Sequence, residues 1–416
     1  MPIEHAQWAD VLARLVDAGH LVVADQLAVT LDQAIGEVGL TADLFVADAS
    51  QLVLTSMRTV GSQQIDLVNT LAGRAFQLGE ILVGTGEDGS VVLWVPVLDG
   101  TDRIGVMRIG LSDHASAAAE RVDDPELRRW LWIVASLMGH VVATKTVYSD
   151  RLRRWRSNGP LSPASELLWQ LLPPRTFATD RIVVSAVLEP HEQVAGDAFD
   201  YNVDGDLVDL AVFDAAGHDL RASVTTALAI TAVRNARRSG VEDLVAIAAL
   251  ADELIGVGPG PKQFATAILA RLDVVSGRLA ILNAGHPPPL LVRSGKVVKE
   301  LGPPPRTPLG VTLLGGAVQD VQVSSEQLEP GDRLLLYSDG IVEARDRNGV
   351  FFGEERLVEM TEHAAASGLS APETLRRLAT AVLEHQGGQL QDDATLLLAE
   401  WSTDAYRRMY PKDVLT

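Results

Sequence analysis

The segment that decides the fold of the second half of the chain is Leu207-Val-Asp-Leu-Ala-Val-Phe213, followed at once by Asp214-Ala215-Ala216-Gly217. Its first seven residues are mostly apolar and include two valines, which is typical of a buried β-strand. The run then ends in an aspartate and small residues, which favour a turn. The pattern therefore predicts a buried strand that delivers a carboxylate to the edge of a sheet.

Other predicted strands in this half also meet an aspartate at one end. They are Ile182 to Leu188 before Gly196-Asp197, Arg333 to Ser338 before Asp339-Gly340, and Ala394 to Ala399 after Asp392-Asp393. Taken singly, each junction is an ordinary turn. Together they supply hard oxygen ligands without cysteine or histidine, the donor set that Mg²⁺ or Mn²⁺ prefers. Two such ions can lower the pKa of a shared water and hold a phosphate during in-line displacement.

The order and spacing of these junctions resemble the metal-dependent protein phosphatases, the PPM or type 2C family, and within it the sporulation-protein E (SpoIIE) type. The resemblance covers residues 176–401 and includes Phe264-Ala-Thr-Ala267, Leu279 to Leu290, Gly331 to Ala344 and Phe352 to Leu357. It implies an α+β protein whose C-terminal domain is a β-sandwich flanked by helices, with the metals at one edge. It also implies an enzyme, a protein serine/threonine phosphatase that uses a water activated by two metal ions.

Site residues follow from the resemblance position by position. Asp214 takes the place that bridges the two ions, Mn²⁺ or Mg²⁺, and the backbone carbonyl of Ala215 completes one coordination sphere. Within the final pair of acids, the first is preferred to Asp393 as a ligand. The aspartates predicted to act as metal ligands and catalytic groups are Asp197, Asp214, Asp339 and Asp392.

The chain departs from the family pattern at several positions around this site. Ala195 stands where the family usually has glycine, and Asp219 stands where it also has glycine. Eukaryotic members have a proposed acid histidine where this chain has Ala216, so His218 could donate a proton only from another geometry. Protonation of the leaving group by metal-bound water is therefore the simpler expectation. Asp200 is a weaker candidate that would lie behind the ligands.

Two further motifs invite a chemical interpretation that the sequence does not favour. His286 precedes three prolines, and such a rigid segment favours a histidine that organises a loop over a catalytic one. Gly256-Val-Gly-Pro-Gly260 lacks the Lys-Ser/Thr ending of a phosphate-binding P-loop. We expect it to join a helix to the following strand.

Composition limits the classes of partner. The 416 residues carry a formal net charge of −20 and no cysteine, which disfavours nucleic acid and anionic membranes and excludes disulfides. The apolar run from Trp130 to Thr144 is too short to span a bilayer. The first residues lack the pattern of a secretion signal. We therefore expect a cytoplasmic protein.

The first 150 residues have a different pattern. They predict helices near 6–37, 62–77 and 124–150, and strands at 43–48, 51–56, 90–97 and 103–109, with Asp99-Gly100 in the last turn. This region resembles a GAF domain, a sensor module of bacterial signalling proteins. The resemblance rests on Gly73 to Glu80, Leu93 to Val97, Asp99-Gly100 and Ile104 to Val106. It implies a sensory domain with a small-molecule effector, and the alternative is a spacer that only dimerises.

A linker at residues 151–175 separates the sensory domain at 1–150 from the phosphatase domain at 176–401. It begins with four arginines in ten residues, which we interpret as a solvated helix end instead of a nucleic-acid or lipid patch. Ser162-Pro163 then starts a helix that Pro173-Pro174 stops. Its apolar face must be buried against its own chain or against a second copy in a homodimer. The tail at 402–416 is predicted to be either disordered or in contact with a partner.

These features together predict a signalling enzyme in which a GAF-like domain regulates a metal-dependent phosphatase. The resemblance implies a phosphorylated protein substrate such as an anti-sigma-factor antagonist. One alternative is a phosphoprotein-binding module with weak or no turnover. The other is a two-metal phosphoesterase that acts on a small molecule.

Overall fold

The computed structural model describes residues 5–58, 63–86, 88–111, 121–156, 162–189, 196–217, 219–256, 263–311, 321–388 and 390–412. The chain divides into two compact units. The first comprises Met1–Pro160 together with Arg407–Thr416, and the second comprises Leu161–Tyr406.

The first unit is built on one antiparallel sheet of six strands in the order β3-β2-β1-β6-β5-β4. The strands are β1 (Leu40–Ala47), β2 (Val53–Ser56), β3 (Gln64–Asp66), β4 (Leu82–Thr85), β5 (Val91–Asp99) and β6 (Asp102–Leu111). The helices are α1 (His5–Leu21), α2 (Leu27–Gly36), α3 (Leu71–Leu78), α4 (Pro125–Thr146) and α5 (Asp150–Trp155).

The two faces of this sheet are covered by different helices. Alternate residues of β1 point to opposite faces, as in any strand. Leu44 belongs to a core shared with α1, α2 and α4, whereas Phe45 packs with Phe76 of α3. Each face is therefore closed by apolar helix surface.

The predicted elements of the first unit are correct except at two places. The helix expected near 62–77 is preceded by strand β3, because Asn69 has a left-handed backbone (φ 62°) and Thr70 caps α3 by accepting a hydrogen bond from the Gly73 amide. The long closing helix is split, because Ser149 caps a new helix. Arg153 of that short helix donates to the carbonyl groups at the end of α4, as expected for a basic residue at a helix end.

The second unit contains two antiparallel sheets and six helices. The five-stranded sheet has the order β15-β12-β11-β10-β9 and the six-stranded sheet has the order β14-β13-β16-β17-β8-β7. The strands are β7 (Thr176–Ala178), β8 (Ile182–Glu189), β9 (Asp197–Asp204), β10 (Leu207–Ala215), β11 (Ala265–Asp273), β12 (Arg278–Ala284), β13 (Leu290–Arg293), β14 (Lys296–Glu300), β15 (Ser324–Gln327), β16 (Arg333–Tyr337) and β17 (Ala394–Trp401). The helices within its described residues are α6 (Pro163–Leu171), α7 (Leu220–Arg238), α8 (Leu244–Gly256), α9 (Asp339–Val342), α10 (Glu354–Ala366) and α11 (Ala371–His385).

Both sheets of the second unit contribute to one apolar core. Val212 of β10 and Leu397 of β17 lie in the same cluster. The other face of the five-stranded sheet packs through Phe213 against α7 and α8. Helix α11 lies against β8 and β17, and its buried residues Leu375, Leu378 and Val382 follow the helical spacing read from the sequence.

The structure describes the linker helix and the tail as far as residue 412. Helix α6 begins after Ser162, whose hydroxyl accepts a hydrogen bond from the Ser165 amide. Leu168 of α6 lies in the core of the second unit, so its apolar face is buried against its own chain. The tail forms a 3₁₀ turn at Ala405–Met409, and Tyr410 packs edge-on against Trp132 of α4. No described helix has the combination of length and hydropathy needed to cross a membrane.

Candidate active site

The register of β9 and β10 brings the first two predicted ligands together. Asp214 lies directly opposite Asp197 in the antiparallel pairing. Both side chains belong to the face that carries the core between the sheets, since Val212 and Phe199 of the same strands lie in that core. Asp197 is buried and Asp214 is partly buried. Two carboxylates of the site therefore lie opposite each other at the edge of the core between the sheets.

The six-stranded sheet supplies the remaining aspartates from two neighbouring strand ends. The Ser338 amide donates to the Thr395 carbonyl at 3.0 Å, and the Thr395 amide donates to the Ser338 hydroxyl at 3.0 Å. This pair fixes the end of β16 beside the start of β17. A Cβ atom at Gly340 would lie 1.9 Å from the Asp393 carbonyl oxygen, so the close approach of the two segments requires glycine.

Asp393 connects the two groups of aspartates. Its Oδ2 atom accepts hydrogen bonds from the amides of Gly196 and Asp197, and the Thr226 hydroxyl of α7 donates to the Gly196 carbonyl. A side chain at Gly196 would lie within 3.0 Å of the Ala215 carbonyl oxygen. Asp393 thus positions the strand end that carries Asp197. No role was predicted for Asp393 or Thr226 from the sequence, although the two adjacent acids, Asp392 and Asp393, were a signal that both belong to the site.

Charge repulsion and burial raise the pKa values of these carboxyl groups. Burial, followed by the charges of Asp214 and Asp393, raises the pKa of Asp197 well above its usual range. Burial, followed by the charges of Asp339, Asp392 and Asp393, raises the pKa of Asp214 to about 7. Burial and the charge of Asp392 also raise the pKa of Asp339. Within the described residues, the charges that act most strongly on these groups are those of other acids.

The donor set fits divalent cations. Asp197 Oδ2 is buried without a hydrogen-bond partner, Asp392 is exposed, and the other donors are carboxylate and carbonyl oxygens of the kind that Mg²⁺ and Mn²⁺ bind. Within the described ranges, no three His, Cys, Asp or Glu side chains form a ready-made cage.

Two of the weaker candidates do not join the cluster. Asp200 is fully buried on the helix side of β9, where it pairs with Arg234 at 2.6 Å and Arg237 at 2.8 Å. It is therefore engaged in a structural ion network and does not approach the ligands. Asp219 caps α7 by accepting hydrogen bonds from the amides of Arg221 and Ala222. The capping of α7 therefore accounts for an aspartate at position 219.

Of the two histidines considered as candidates, the structure describes His286 and does not describe His218. His286 is buried, its Nδ1 atom lies 2.7 Å from the Thr266 hydroxyl, and its amide donates to Asn283 Oδ1. Burial lowers the pKa of His286 to about 4, so the ring is neutral at physiological pH. These contacts favour the loop-organising role. His218 lies outside the described residues, as does most of the Gly256–Gly260 segment.

The second unit is similar to known proteins. Residues 204–402 match the family model of Stage II sporulation protein E (SpoIIE). The SiaA PP2C domain of Pseudomonas aeruginosa superposes with a TM-score of 0.50 at 25% identity, over 57% of this chain and 94% of that chain. These matches support a SpoIIE-type PP2C phosphatase domain. The fold around the aspartates is thus a mixed α/β fold that is similar to this PP2C domain.

Two curated relatives extend the comparison. The phosphoserine phosphatase RsbU of Bacillus subtilis is 23% identical over 64% of this chain and 77% of its own length. Protein IcfG of Synechocystis is 29% identical over 32% of this chain, and the match spans only 20% of IcfG. Together with the SpoIIE match, these relatives support a protein serine/threonine phosphatase. The family-model match, residues 204–402, lies within the second unit.

Proposed function

We propose that the PP2C domain hydrolyses phosphoserine or phosphothreonine in a protein, using two divalent cations, Mn²⁺ or Mg²⁺. Asp197, Asp214, Asp339, Asp392 and the Ala215 carbonyl would hold the ions, with Asp214 shared between them. The observation that carries the proposal is the convergence of acids from both sheets, whose mutual repulsion and burial raise their pKa values. The ions supply an acidified water and neutralise charge on the phosphate.

The residues of the chain have distinct tasks in this proposal. Asp214 and Asp197 face each other across two strands and provide ligands from the five-stranded sheet. Asp393 keeps the Asp197 strand end in place through two backbone amides. Such rigid support matters because a displacement of about 1 Å in a positioning group can lower a rate by about 10²-fold.

The substrate and the location are proposed from the relatives and the composition. RsbU is described as a phosphoserine phosphatase, and we propose a phosphorylated protein such as an anti-sigma-factor antagonist for this chain. The absence of cysteine fits a cytoplasmic protein. We also propose that residues 1–150 form a GAF-like domain that binds a small-molecule effector, and that residues 151–175 connect it to the enzyme at 176–401.

Helix α6 is the proposed route of regulation. Arg234 of α7 donates to the Leu171 carbonyl at the end of α6 at 2.7 Å, and the same guanidinium binds Asp200 of β9. The Tyr201 hydroxyl donates to the Pro174 carbonyl. A shift of α6 would therefore act on α7 and β9, the elements that carry Thr226 and Asp197. Whether α6 also pairs in a homodimer is tested by the oligomeric state of an α6 surface variant such as Leu167→Glu.

Mn²⁺-dependent turnover tests the function directly. Wild type is expected to hydrolyse both an aryl phosphate and a phosphoserine protein only with the metal, and Asp214→Asn is expected to lose at least 10²-fold in rate, the scale of removing a charge-stabilising group. The control is Asp206→Asn, which alters an exposed acid on the turn between β9 and β10.

The alternatives give different results in the same assay. No metal-dependent turnover on either substrate would favour the phosphoprotein-binding module. Turnover of the aryl phosphate without turnover of the phosphoprotein would favour a small-molecule phosphoesterase. Equal rates for Asp214→Asn and wild type would contradict the assignment of the site.

A further inference from the structure

An exposed loop lies at the rim of the aspartate cluster. It comprises residues 345–351, called here the Arg345 loop. The Gln391 side chain donates to the Arg345 carbonyl at 3.1 Å, and Gln391 directly precedes Asp392. On its other side, the loop follows the segment that carries Asp339. The Arg345 loop is therefore joined to both of the strand ends that supply ligands from the six-stranded sheet.

The loop has a defined conformation. The Asp346 carboxylate accepts hydrogen bonds from the amides of Asn348 and Val350, each at 2.8 Å, and these bonds lower the pKa of Asp346. Arg345 and Phe351 form a β-bridge across the loop. The ring of His385 contacts the Val350 carbonyl at 2.9 Å. The loop is therefore preformed, and it carries two arginines against one acid.

Two arginines on this loop lack a carboxylate partner within the described residues. Arg345 and Arg347 are exposed, whereas Arg271 and Arg306 elsewhere in the second unit pair with aspartates at 2.7 Å. The Arg345 guanidinium lies over the Phe351 ring, 4.5 Å from its centroid, a contact that orients the cation without neutralising it. Unpaired arginines are unexpected beside a cluster of acids in a chain of net charge −20.

The apolar part of the loop is also uncovered. Phe351 is 48% exposed and Val350 is 58% exposed. Arginine and aromatic side chains are enriched among the residues that dominate binding at protein interfaces. The position of this surface limits its partner, because a protein segment that places a phosphate at the aspartate cluster must pass close to the rim.

We propose that the Arg345 loop binds the protein part of the substrate and selects phosphoserines that are flanked by acidic residues. This inference rests on the proposed function. Arg345 and Arg347 would pair with flanking carboxylates, and Phe351 would cover the apolar part of the segment. In a chain of net charge −20, these two arginines at the rim of the site would attract an acidic segment. Arg345 and Arg347 would thus determine substrate preference.

Two synthetic phosphoserine peptides test the proposal. They differ only in the three residues on each side of the phosphoserine, which are Asp and Glu in one peptide and Asn and Gln in the other. The measured quantity is the ratio of kcat/KM for the acidic peptide to that for the neutral peptide, using the full chain with Mn²⁺. Dissociation constants of both peptides, from fluorescence anisotropy, give the same ratio independently of turnover.

We expect wild type to prefer the acidic peptide by about fivefold, the scale of one or two exposed ion pairs. The double variant Arg345→Gln/Arg347→Gln should have a ratio near one, and Arg345→Lys/Arg347→Lys should recover part of the preference. Raising the salt to about 0.5 M should lower the wild-type ratio, because exposed charges are screened. The control is Arg278→Gln, at the opposite end of β12 from the site, which should keep the wild-type ratio.

Several results would overturn the proposal. These are equal values for the two peptides with wild type, an unchanged ratio in the glutamine variant, or an equal fall on both peptides, which would place the arginines on the phosphate or on folding. Absence of hydrolysis by wild type would instead count against the proposed function. In that case the ratio of the dissociation constants still decides whether the loop selects acidic segments.

Discussion

Replacing Asp214 with asparagine should have opposite effects on stability and on activity. The shared cluster raises the pKa of Asp214 to about 7 from its usual value of 3.8. Without metal, the folded protein therefore keeps a proton that the unfolded chain has already released. The stability of the metal-free protein should fall as the pH rises from about 4 to 7, since the unfolded state binds fewer protons throughout that interval.

The size of the effect follows from this shift in pKa. Each pKa unit corresponds to about 1.4 kcal/mol, so ionised Asp214 costs the folded state up to about 4 kcal/mol at pH 8. At pH 5 the folded carboxyl is protonated, and the folded state is destabilised by only about 2 kcal/mol because the unfolded chain has released that proton. Asp214→Asn cannot ionise. In EDTA it should be more stable than wild type, by a larger margin at pH 8 than at pH 5.

Urea unfolding in EDTA, followed by pulsed hydrogen exchange on β10 peptides, measures the stability of the second unit alone. The matched control is Asp209→Asn on the same strand, because Asp209 is buried and pairs with Arg271 at 2.7 Å. Removing one partner of a buried pair should destabilise that unit by about 3 kcal/mol. The reasoning is refuted if Asp214→Asn is the less stable protein at pH 8, or if both variants shift stability in the same direction.

Three further changes test the supports of the site. Gly340→Ala places a methyl group against the Asp393 carbonyl. It should lower the melting temperature measured by calorimetry, and it should lower the Mn²⁺-dependent kcat by at least tenfold. The control Gly36→Ala, with open space around it, should change neither quantity. Asp393→Ala removes the acceptor of two backbone amides. It should lower kcat and Mn²⁺ affinity about 10- to 100-fold, as loss of a supporting group does at other metal sites. Wild-type values of both would contradict the positioning role of Asp393. Thr226→Val leaves the Gly196 carbonyl without its hydroxyl donor and should lower the free energy of unfolding, measured in urea, by about 1–3 kcal/mol. A decrease below about 0.3 kcal/mol would show that this hydrogen bond does not contribute to stability.

The strand ends that carry the aspartates proposed as ligands could be predicted from the sequence because they depend on local features. A buried strand followed by aspartate and glycine specifies where a carboxylate leaves a sheet, whichever strand lies beside it. The alternation of side chains also explains why Asp200 fails as a candidate, since it lies three residues from Asp197 and so on the opposite face of β9. There it meets Arg234 and Arg237 of α7.

The supporting contacts could not be read in the same way because they are long-range. Asp393 and Gly196 are separated by 197 positions, and no periodicity relates them. The late start of the helix predicted at 62–77 follows one left-handed residue, Asn69. The packing of Tyr410 against Trp132 depends on where the chain passes after its last strand. The first and last of these features are decided by tertiary structure and not by local propensity, whereas the start of α3 at Asn69 and Thr70 is local.

The central claim is that the converging aspartates bind two divalent cations through Asp214. The most direct measurement is a titration of the full chain with Mn²⁺ at pH 7.5, with free Mn²⁺ detected by electron paramagnetic resonance. Wild type should bind two ions per chain, and Asp214→Asn should lose the tight binding of both. Wild type without tight binding, or a variant that binds as wild type does, would contradict the claim.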